Sequence, residues 1–259
     1  MAVSRNSKAR RAAILQNLQQ NGRALVDDLA VFFNTTPQTI RKDLNALSEE
    51  SKVMRFHGGA SLLAGIEYTG FEARESISRP EKEKIGKAAA KLIPNNAAII
   101  INAGTTTAAV ARSLGHHTGL KVVTDNVNIA NNLRAFGGLE VMVPGGVVRR
   151  SDGAILGEAT VDFIRQFRAD IAIIGTSAIA TDGSLLDYDL REASVARAII
   201  ENARHVILAS DSTKFDRAAP VCIGHLSQVQ TLVTDTGCPA DLRKLCKHNE
   251  VSLIEARDR

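Results

Sequence analysis

The sequence predicts an α/β protein with two domains, a small N-terminal winged helix-turn-helix and a larger, mainly parallel α/β domain. Three observations support this prediction. The length of 259 residues exceeds that of one typical domain. A capped, amphipathic helix begins near Thr36 within a positively charged N-terminal segment. Beyond Pro94, short apolar runs alternate with helical stretches, which is typical of an α/β sheet.

Charge separates the two predicted parts of the chain. Residues 1–60 carry nine Lys or Arg and five Asp or Glu, so they account for the whole net charge of +4. A basic segment joined to a neutral remainder is typical of a small polyanion-binding module. The charge distribution therefore favours nucleic acid as the partner of the N-terminal domain.

Three helices are predicted within the basic segment. Apolar residues at helical spacing indicate the first two, over residues 7–22 and 26–33. Thr36 is a good N-cap residue, and Pro37 suits the first helical position because its missing N–H is not needed there. The third helix is therefore expected to begin at this point and to run to about Glu49.

The third helix has two chemically different faces. Ile40, Leu44 and Leu47 share the apolar face, whereas the other face carries amide and cationic groups that suit base edges and phosphates. An ordinary amphipathic helix with a solvated face explains the same pattern. Residues 52–57 then alternate like a strand, and the glycines at 58–59 predict the turn of a small hairpin, the wing.

The candidate DNA-binding side chains lie on the third helix and on the wing, where they would contact double-stranded DNA. Arg55 alone is equally well explained as a solvated surface residue. The candidates are Thr36, Gln38, Thr39, Arg41, Lys42, Arg55 and His57.

Residues 61–79 show no sustained periodicity and contain glycines and charges, which predicts a linker between domains at 1–60 and 80–259. Pro80 opens a helix that Pro94 closes. Seven Ile- and Val-rich runs follow, and they indicate buried strands of a mainly parallel sheet. These runs are 97–101, 120–124, 139–143, 171–175, 206–210, 231–235 and 251–254. Helices are predicted between most of them, at 106–114, 127–134, 159–168, 192–203 and 240–247.

Glycines and small polar residues follow several of the predicted strands. Ligands of open α/β sheets bind beyond the carboxyl ends of the strands, and a glycine turn leading into a helix attracts phosphate. Each turn alone is a weak signal, but together they predict a pocket for a small phosphorylated or polyhydroxy ligand. The candidate effector-binding residues are Gly104, Thr105, Thr106, Asn126, Gly145, Gly146, Gly175, Ser177, Glu192 and Lys214.

Catalytic groups are less evident than binding groups. Asp187, Asp189 and Glu192 are candidate bases, and Lys214 is a candidate anion ligand. The alternative is that Asp189 caps the helix beginning near Glu192 while the other charges are solvated. Because the sequence shows no nucleophile–base spacing and no metal-ligand cluster, we predict a binding protein that has no catalytic residues, metal or cofactor.

The three cysteines have no C-x-x-C spacing, which argues against a disulfide framework and a zinc site. The first residues lack the apolar core of a signal peptide, and no apolar run approaches membrane-spanning length. We therefore expect a cytoplasmic protein that does not engage a membrane.

The segment from Thr36 to Asn45, followed by residues 57–60, resembles the DNA-binding signature of the DeoR family of bacterial transcriptional regulators. The second domain is similar to that family's sensor domain, which is related to sugar-phosphate isomerases of the ribose-5-phosphate isomerase type. The stretches that carry this similarity are 104–106, 124–126, 144–146, 151–153, 175–177, 182–183 and 211–215.

This resemblance implies a repressor of a carbon-metabolism operon. It would bind operator DNA as a homo-oligomer, a dimer or tetramer. A phosphorylated metabolite captured by the sensor domain would release it, with glycerol 3-phosphate as the first candidate.

Two positions depart from the family pattern. The family usually has an acid where this chain has Asn102, and often a lysine where it has Ala196, four residues after Glu192. The alternative function, a sugar-phosphate isomerase-like enzyme with an accessory helical domain, is weakened by these losses because proton transfer needs a positioned acid or base. The basic N-terminal segment also counts against an enzyme.

Overall fold

The structure, a computed structural model, describes residues 7–21, 23–50, 52–56, 58–62 and 75–257. The chain falls into two units, Met1–Thr69 and Gly70–Arg259, which are described separately below. The domain boundaries at residues 60 and 80 stay a prediction, since the last strand of the first unit continues to Leu62.

The N-terminal unit has three helices and a three-stranded antiparallel sheet among its described residues. In chain order these are α1 Ser7–Asn21, β1 Arg23–Leu25, α2 Val26–Phe32, α3 Pro37–Glu49, β2 Val53–Phe56 and β3 Gly59–Leu62. The sheet order is β1-β3-β2, so β2 and β3 form the predicted wing hairpin. The short strand β1 was not predicted, because three residues give no periodicity and its partner β3 lies far along the chain.

Apolar side chains from all three helices form the core of this unit. Ile14 of α1, Leu29 of α2 and Ile40 and Leu44 of α3 are each 0–1% exposed. Full burial of such a side chain is worth about 1.5–3 kcal/mol. This packing holds α3 with one face inward, as its apolar periodicity predicted.

The second unit is built on a seven-stranded parallel sheet, which confirms the predicted fold class. Its strands are β4 Ala98–Ile101, β5 Leu120–Thr124, β6 Leu139–Met142, β7 Ala169–Ile174, β10 Ala203–Ala209, β12 Thr231–Thr234 and β13 Ser252–Glu255. Their order in the sheet is β13-β12-β10-β7-β4-β5-β6. The helices are α4 Arg79–Ala90, α5 Thr105–Arg112, α6 Val127–Leu133, α7 Glu158–Arg165, α8 Leu190–Glu201 and α9 Ala240–His248.

Both faces of the sheet are buried. In β4, Ile100 belongs to one apolar cluster, whereas Ile99 and Ile101 belong to the other. In β7, Ile174 belongs to the first cluster and Ile173 to the second. Successive residues of a strand point to opposite faces, so burial on both sides requires a continuous apolar run. This requirement explains the Ile- and Val-rich runs of the sequence.

A second, three-stranded antiparallel sheet was not predicted. It consists of β8 Ala178–Ile179, β9 Ser184–Asp187 and β11 Val221–His225, in the order β11-β9-β8. These strands are short, and β9 pairs with β11 across more than thirty residues of chain. Local sequence patterns carry little information about such a sheet.

Candidate functional sites

The outward face of α3 presents the side chains predicted to enter DNA. Gln38, Arg41, Lys42 and Asn45 are all exposed, and their spacing places them on one side of the helix. Pro37 occupies the start of the helix, as expected. An amide-and-cation face therefore lies opposite the buried face.

Thr36 and Thr39 organise the beginning of α3. The Thr36 Oγ1 atom accepts a hydrogen bond from the Thr39 backbone N–H at 3.2 Å, and the two hydroxyl oxygens are 2.9 Å apart. The preceding turn includes Asn34 at φ 47°, a left-handed conformation that Asn tolerates better than most residues. The two threonines thus fix where the exposed face of α3 begins.

The wing is tied to α3 through Arg55. Its guanidinium donates a hydrogen bond to the Asn45 side-chain oxygen, and its Nε is buried without a hydrogen-bond partner among the described residues. In this position Arg55 connects β2 to α3. His57 lies outside the described residues.

A buried ion pair that sequence analysis missed joins α1 to α3. Arg10 Nε lies 2.5 Å from Asp43 Oδ2, and both side chains are 7% exposed. One signal was present in the sequence, because Asp43 falls among the apolar positions of an otherwise amphipathic helix. An acid at a buried helical position requires a charged or hydrogen-bonding partner.

In the second unit, the strand order changes direction between β4 and β7. The chain proceeds from β4 outward to β5 and β6, and then returns to β7 on the other side of β4. Such a switch point opens a crevice at the carboxyl ends of the strands. Asn102 links the ends of β4 and β7 at this point, because its Oδ1 accepts a hydrogen bond from the Gly175 backbone N–H at 2.9 Å.

The predicted glycine turn leads into α5 at the same crevice. Gly104 precedes the helix, and Thr105 and Thr106, 8% and 7% exposed, are its first residues. The hydroxyl of Thr107 donates to the Asn102 carbonyl at 2.7 Å. Backbone N–H groups at a helix start attract anions, so these residues form the part of the crevice best suited to phosphate.

The side chain of Asn126 is fully buried and hydrogen-bonded within the protein. Its Oδ1 accepts hydrogen bonds from the backbone N–H groups of Asn128 and Ile129, and its Nδ2 donates one to the Asp152 carbonyl at 2.9 Å. Its amide therefore caps α6 and holds the loop after β6. That loop also contains Gly145 and Gly146.

Arg149 in the same loop is the centre of a charge cluster that sequence analysis did not identify. Its Nε donates to Asp152 at 2.8 Å, its Nη1 lies 3.2 Å from Asp189, and Glu192 is a third partner. Only 15% of the arginine side chain is exposed. The cluster connects the loop to the start of α8.

The other candidate residues lie along the same sheet edge. Ser177 follows β7, and its hydroxyl donates to Asp187 Oδ1 at 3.2 Å. Lys214 lies in a short turn of 3₁₀ helix after β10, the neighbour of β7. Asp189 accepts the Arg191 N–H at 2.8 Å, which confirms the helix-capping interpretation of this acid.

Two carboxylic acids at this edge have pKa values well above their usual range. Burial raises the pKa of Asp125 to about 7, with smaller contributions from Glu192 and Asp152. Burial also raises the pKa of Glu192 to about 7, aided by Asp187 and opposed by Arg149. Both groups are consequently near the midpoint of their titration at neutral pH.

Comparison with known proteins identifies the two units. The DeoR-like helix-turn-helix domain matches residues 10–64, and the DeoR C-terminal sensor domain matches residues 77–236. The chain belongs to the DeoR family. The family membership inferred from the sequence is therefore confirmed.

The family relatives align over nearly the whole chain. The glycerol-3-phosphate regulon repressor of Escherichia coli K12 is 41% identical over 244 residues, which cover 94% of this chain and 97% of that protein. The protein of the same name from Haemophilus influenzae is 44% identical over 245 residues, which cover 95% of each chain.

A weaker similarity relates part of this DeoR-family chain to a solved structure. Ribose 5-phosphate isomerase A from Methanocaldococcus jannaschii aligns with a TM-score of 0.40 and 16% identity, covering 53% of this chain and 55% of that chain. This similarity is too low to bear on activity. Separately, among the described residues, no helix is long and apolar enough to cross a membrane.

Proposed function

We propose that this DeoR-family protein represses a glycerol-phosphate regulon and that a small phosphorylated metabolite, glycerol 3-phosphate first, releases it from its operator. The observation that carries the proposal is the alignment of both units with two glycerol-3-phosphate regulon repressors over 94–95% of the chain. The exposed basic face of α3 supports the DNA-binding half, and the crevice after β4 supports the sensing half. Such a protein would act in the cytoplasm as a homo-oligomer.

In this proposal, Gln38, Arg41 and Lys42 enter the major groove, while Thr36 and Thr39 set the start of the reading helix. Arg55 and His57 would contact DNA from the wing. Arg41→Ala is expected to weaken operator binding by about 1–3 kcal/mol if Arg41 holds a base with two hydrogen bonds. Fluorescence anisotropy on a selected operator fragment measures this, and unchanged affinity would remove Arg41 from the interface.

The effector's phosphate is proposed to lie at the start of α5, at Gly104, Thr105 and Thr106. The remaining candidate residues, Gly145, Gly146, Gly175, Ser177, Glu192 and Lys214, would line the rest of the site, with Asn126 supporting the loop. Occupancy should favour a conformation with low operator affinity, a coupling typically of about 1–3 kcal/mol that must be reciprocal.

The test is a titration of the operator complex with glycerol 3-phosphate, with inorganic phosphate as the control for ionic strength. Release by glycerol 3-phosphate alone supports the proposal. Saturating operator should also weaken metabolite binding in calorimetry. Equal metabolite affinity with and without operator would overturn the inducer role.

An isomerase-like enzyme is a second candidate, favoured by the two carboxyl groups whose pKa values lie near 7. Two features oppose it. Asn102 is hydrogen-bonded to the Gly175 backbone, and Ala196 supplies only a buried methyl group. We expect no turnover of ribose 5-phosphate by the purified protein, and turnover that Glu192→Gln abolishes would establish the enzyme instead.

A further inference from the structure

We infer that Asp125 is the residue that reads a hydroxyl group of the effector, so that the sensor selects hydroxylated phosphate esters over unsubstituted alkyl phosphates. The inference rests on the proposed effector role and assigns a recognition residue and a ligand class within that site. Asp125 is not among the residues that the sequence analysis selected.

Asp125 lies beside the crevice because of strand register. Ile101 of β4 pairs with Thr124 of β5, so the next residues, Asn102 and Asp125, are neighbours at the carboxyl ends of these strands. Burial raises the pKa of Asp125, and the backbone N–H of Ala103, which leads into α5, opposes this effect by lowering it. Asp125 is therefore adjacent to the turn proposed to bind phosphate.

One oxygen of this carboxylate is left without a partner. Asp125 is 4% exposed, and its Oδ1 is buried with no hydrogen-bond partner among the described residues. A buried acceptor in this state retains an uncompensated desolvation penalty, which a ligand hydroxyl would remove. In its ionised form this carboxylate accepts hydrogen bonds only, so the ligand group complementary to that form is a donor.

The surrounding charges determine which end of the ligand lies near Asp125. Glu192 and Asp152 interact electrostatically with it, and the nearby guanidinium of Arg149 is paired with three carboxylates. A phosphate would be repelled from these acids, whereas the start of α5 attracts it. A ligand with an anionic end and an uncharged donor end satisfies both regions at once.

The experiment compares sn-glycerol 3-phosphate with propyl phosphate, which has the same chain length and charge but no hydroxyl groups. Calorimetry on the full-length protein is expected to show at least about ten-fold tighter binding of glycerol 3-phosphate, the size of one charge-assisted hydrogen bond. Asp125→Ala should reduce that preference to within about three-fold, with the propyl phosphate affinity of the same variant as the reference. Asp125→Asn keeps the shape of the side chain and an acceptor oxygen, so it should retain an intermediate preference.

Asp170→Asn is the matched control. This aspartate lies near the start of β7, at the opposite end of the sheet, and accepts the Ala98 backbone N–H at 3.0 Å. Its substitution should leave the preference unchanged. Both affinities are measured on the same sample of each variant. Partial unfolding therefore lowers both values together and leaves their ratio unchanged.

Three outcomes would overturn the inference. Equal binding of the two compounds by the unmodified protein would refute hydroxyl selection but leave the phosphate effector standing. A preference that persists in Asp125→Ala would assign the selection to another residue. Binding of neither compound would refute the inference together with the proposed effector role.

Discussion

The two units place their functional groups in opposite environments. On α3 of the N-terminal unit, Gln38, Arg41 and Lys42 lie exposed within two turns of one helix. In the sensor unit, Asp125 and Arg149 are largely buried and come from different loops. A helix face can be read from local periodicity, whereas a buried cluster depends on which distant segments meet. We therefore expect substitutions on the exposed face of α3 to change mainly DNA binding, and substitutions in the buried cluster of the second unit to change mainly stability.

The largest expected effect tests the buried cluster. Arg149→Met removes the cation shared by Asp152, Asp189 and Glu192, so three largely buried carboxylates lose their common countercharge. We expect a loss of about 3–5 kcal/mol in the free energy of unfolding, measured by urea denaturation. Arg165→Met, which removes an exposed ion pair on α7, is the control and should cost well under 1 kcal/mol, as about 0–1 is usual for such pairs.

The second effect is a pH dependence of stability in the sensor unit. Burial raises the pKa of Asp125 from 3.8 to about 7, so between these values the folded protein binds more protons than the unfolded chain. Stability therefore falls as pH rises from about 4 to about 7 and levels off above that range. Asp125→Asn should be more stable than the unmodified protein by about 2–4 kcal/mol at pH 8, and equally stable near pH 4.

Urea denaturation across this pH range measures the Asp125 contribution as the difference between the two proteins. Glu192, whose pKa is also raised to about 7, contributes in the same direction and is present in both proteins. A stability difference that does not change with pH would contradict the prediction.

A smaller effect on stability is expected from the buried ion pair of the N-terminal unit, Arg10–Asp43. Asp43→Asn keeps the shape of the side chain but removes the carboxylate from the 2.5 Å contact with Arg10. The cost should be about 2 kcal/mol of stability, because the buried Arg10 guanidinium loses its countercharge and keeps only a neutral acceptor. Operator affinity should fall with it, since the pair holds α1 against α3, while calorimetric binding of glycerol 3-phosphate stays unchanged.

The smallest effect concerns the start of α3. Thr36→Ala removes the oxygen that accepts the Thr39 N–H, at a cost of about 1 kcal/mol. Thr36→Ser keeps that oxygen and serves as the control. Thermal denaturation should separate the two variants, and identical midpoints would show that the cap does not stabilise the unit.

Much of the candidate site could be predicted because it follows local rules. The turn at Gly104–Thr106 joins a buried strand to a helix, and its position at the carboxyl end of β4 follows from the alternation of strands and helices. Asn126 was found by the same rule, but its side chain bonds to Asp152 in another loop. Sequence position thus placed both turns at the carboxyl ends of strands, without indicating which polar side chains are hydrogen-bonded within the protein.

By itself, the sequence determined the three-helix domain with its wing, the basic charge of that domain, the seven strands of the parallel sheet and the turns that follow them. These features depend on neighbours three or four residues apart, or on the alternation of side chains along a strand. Tertiary structure alone decided the Arg10–Asp43 pair, the antiparallel sheet of β8, β9 and β11, and the meeting of Arg149 with Asp189 and Glu192. The ion pairs and the β9–β11 pairing join residues more than thirty positions apart. Burial also strengthens the ion pairs in a way that no local pattern records.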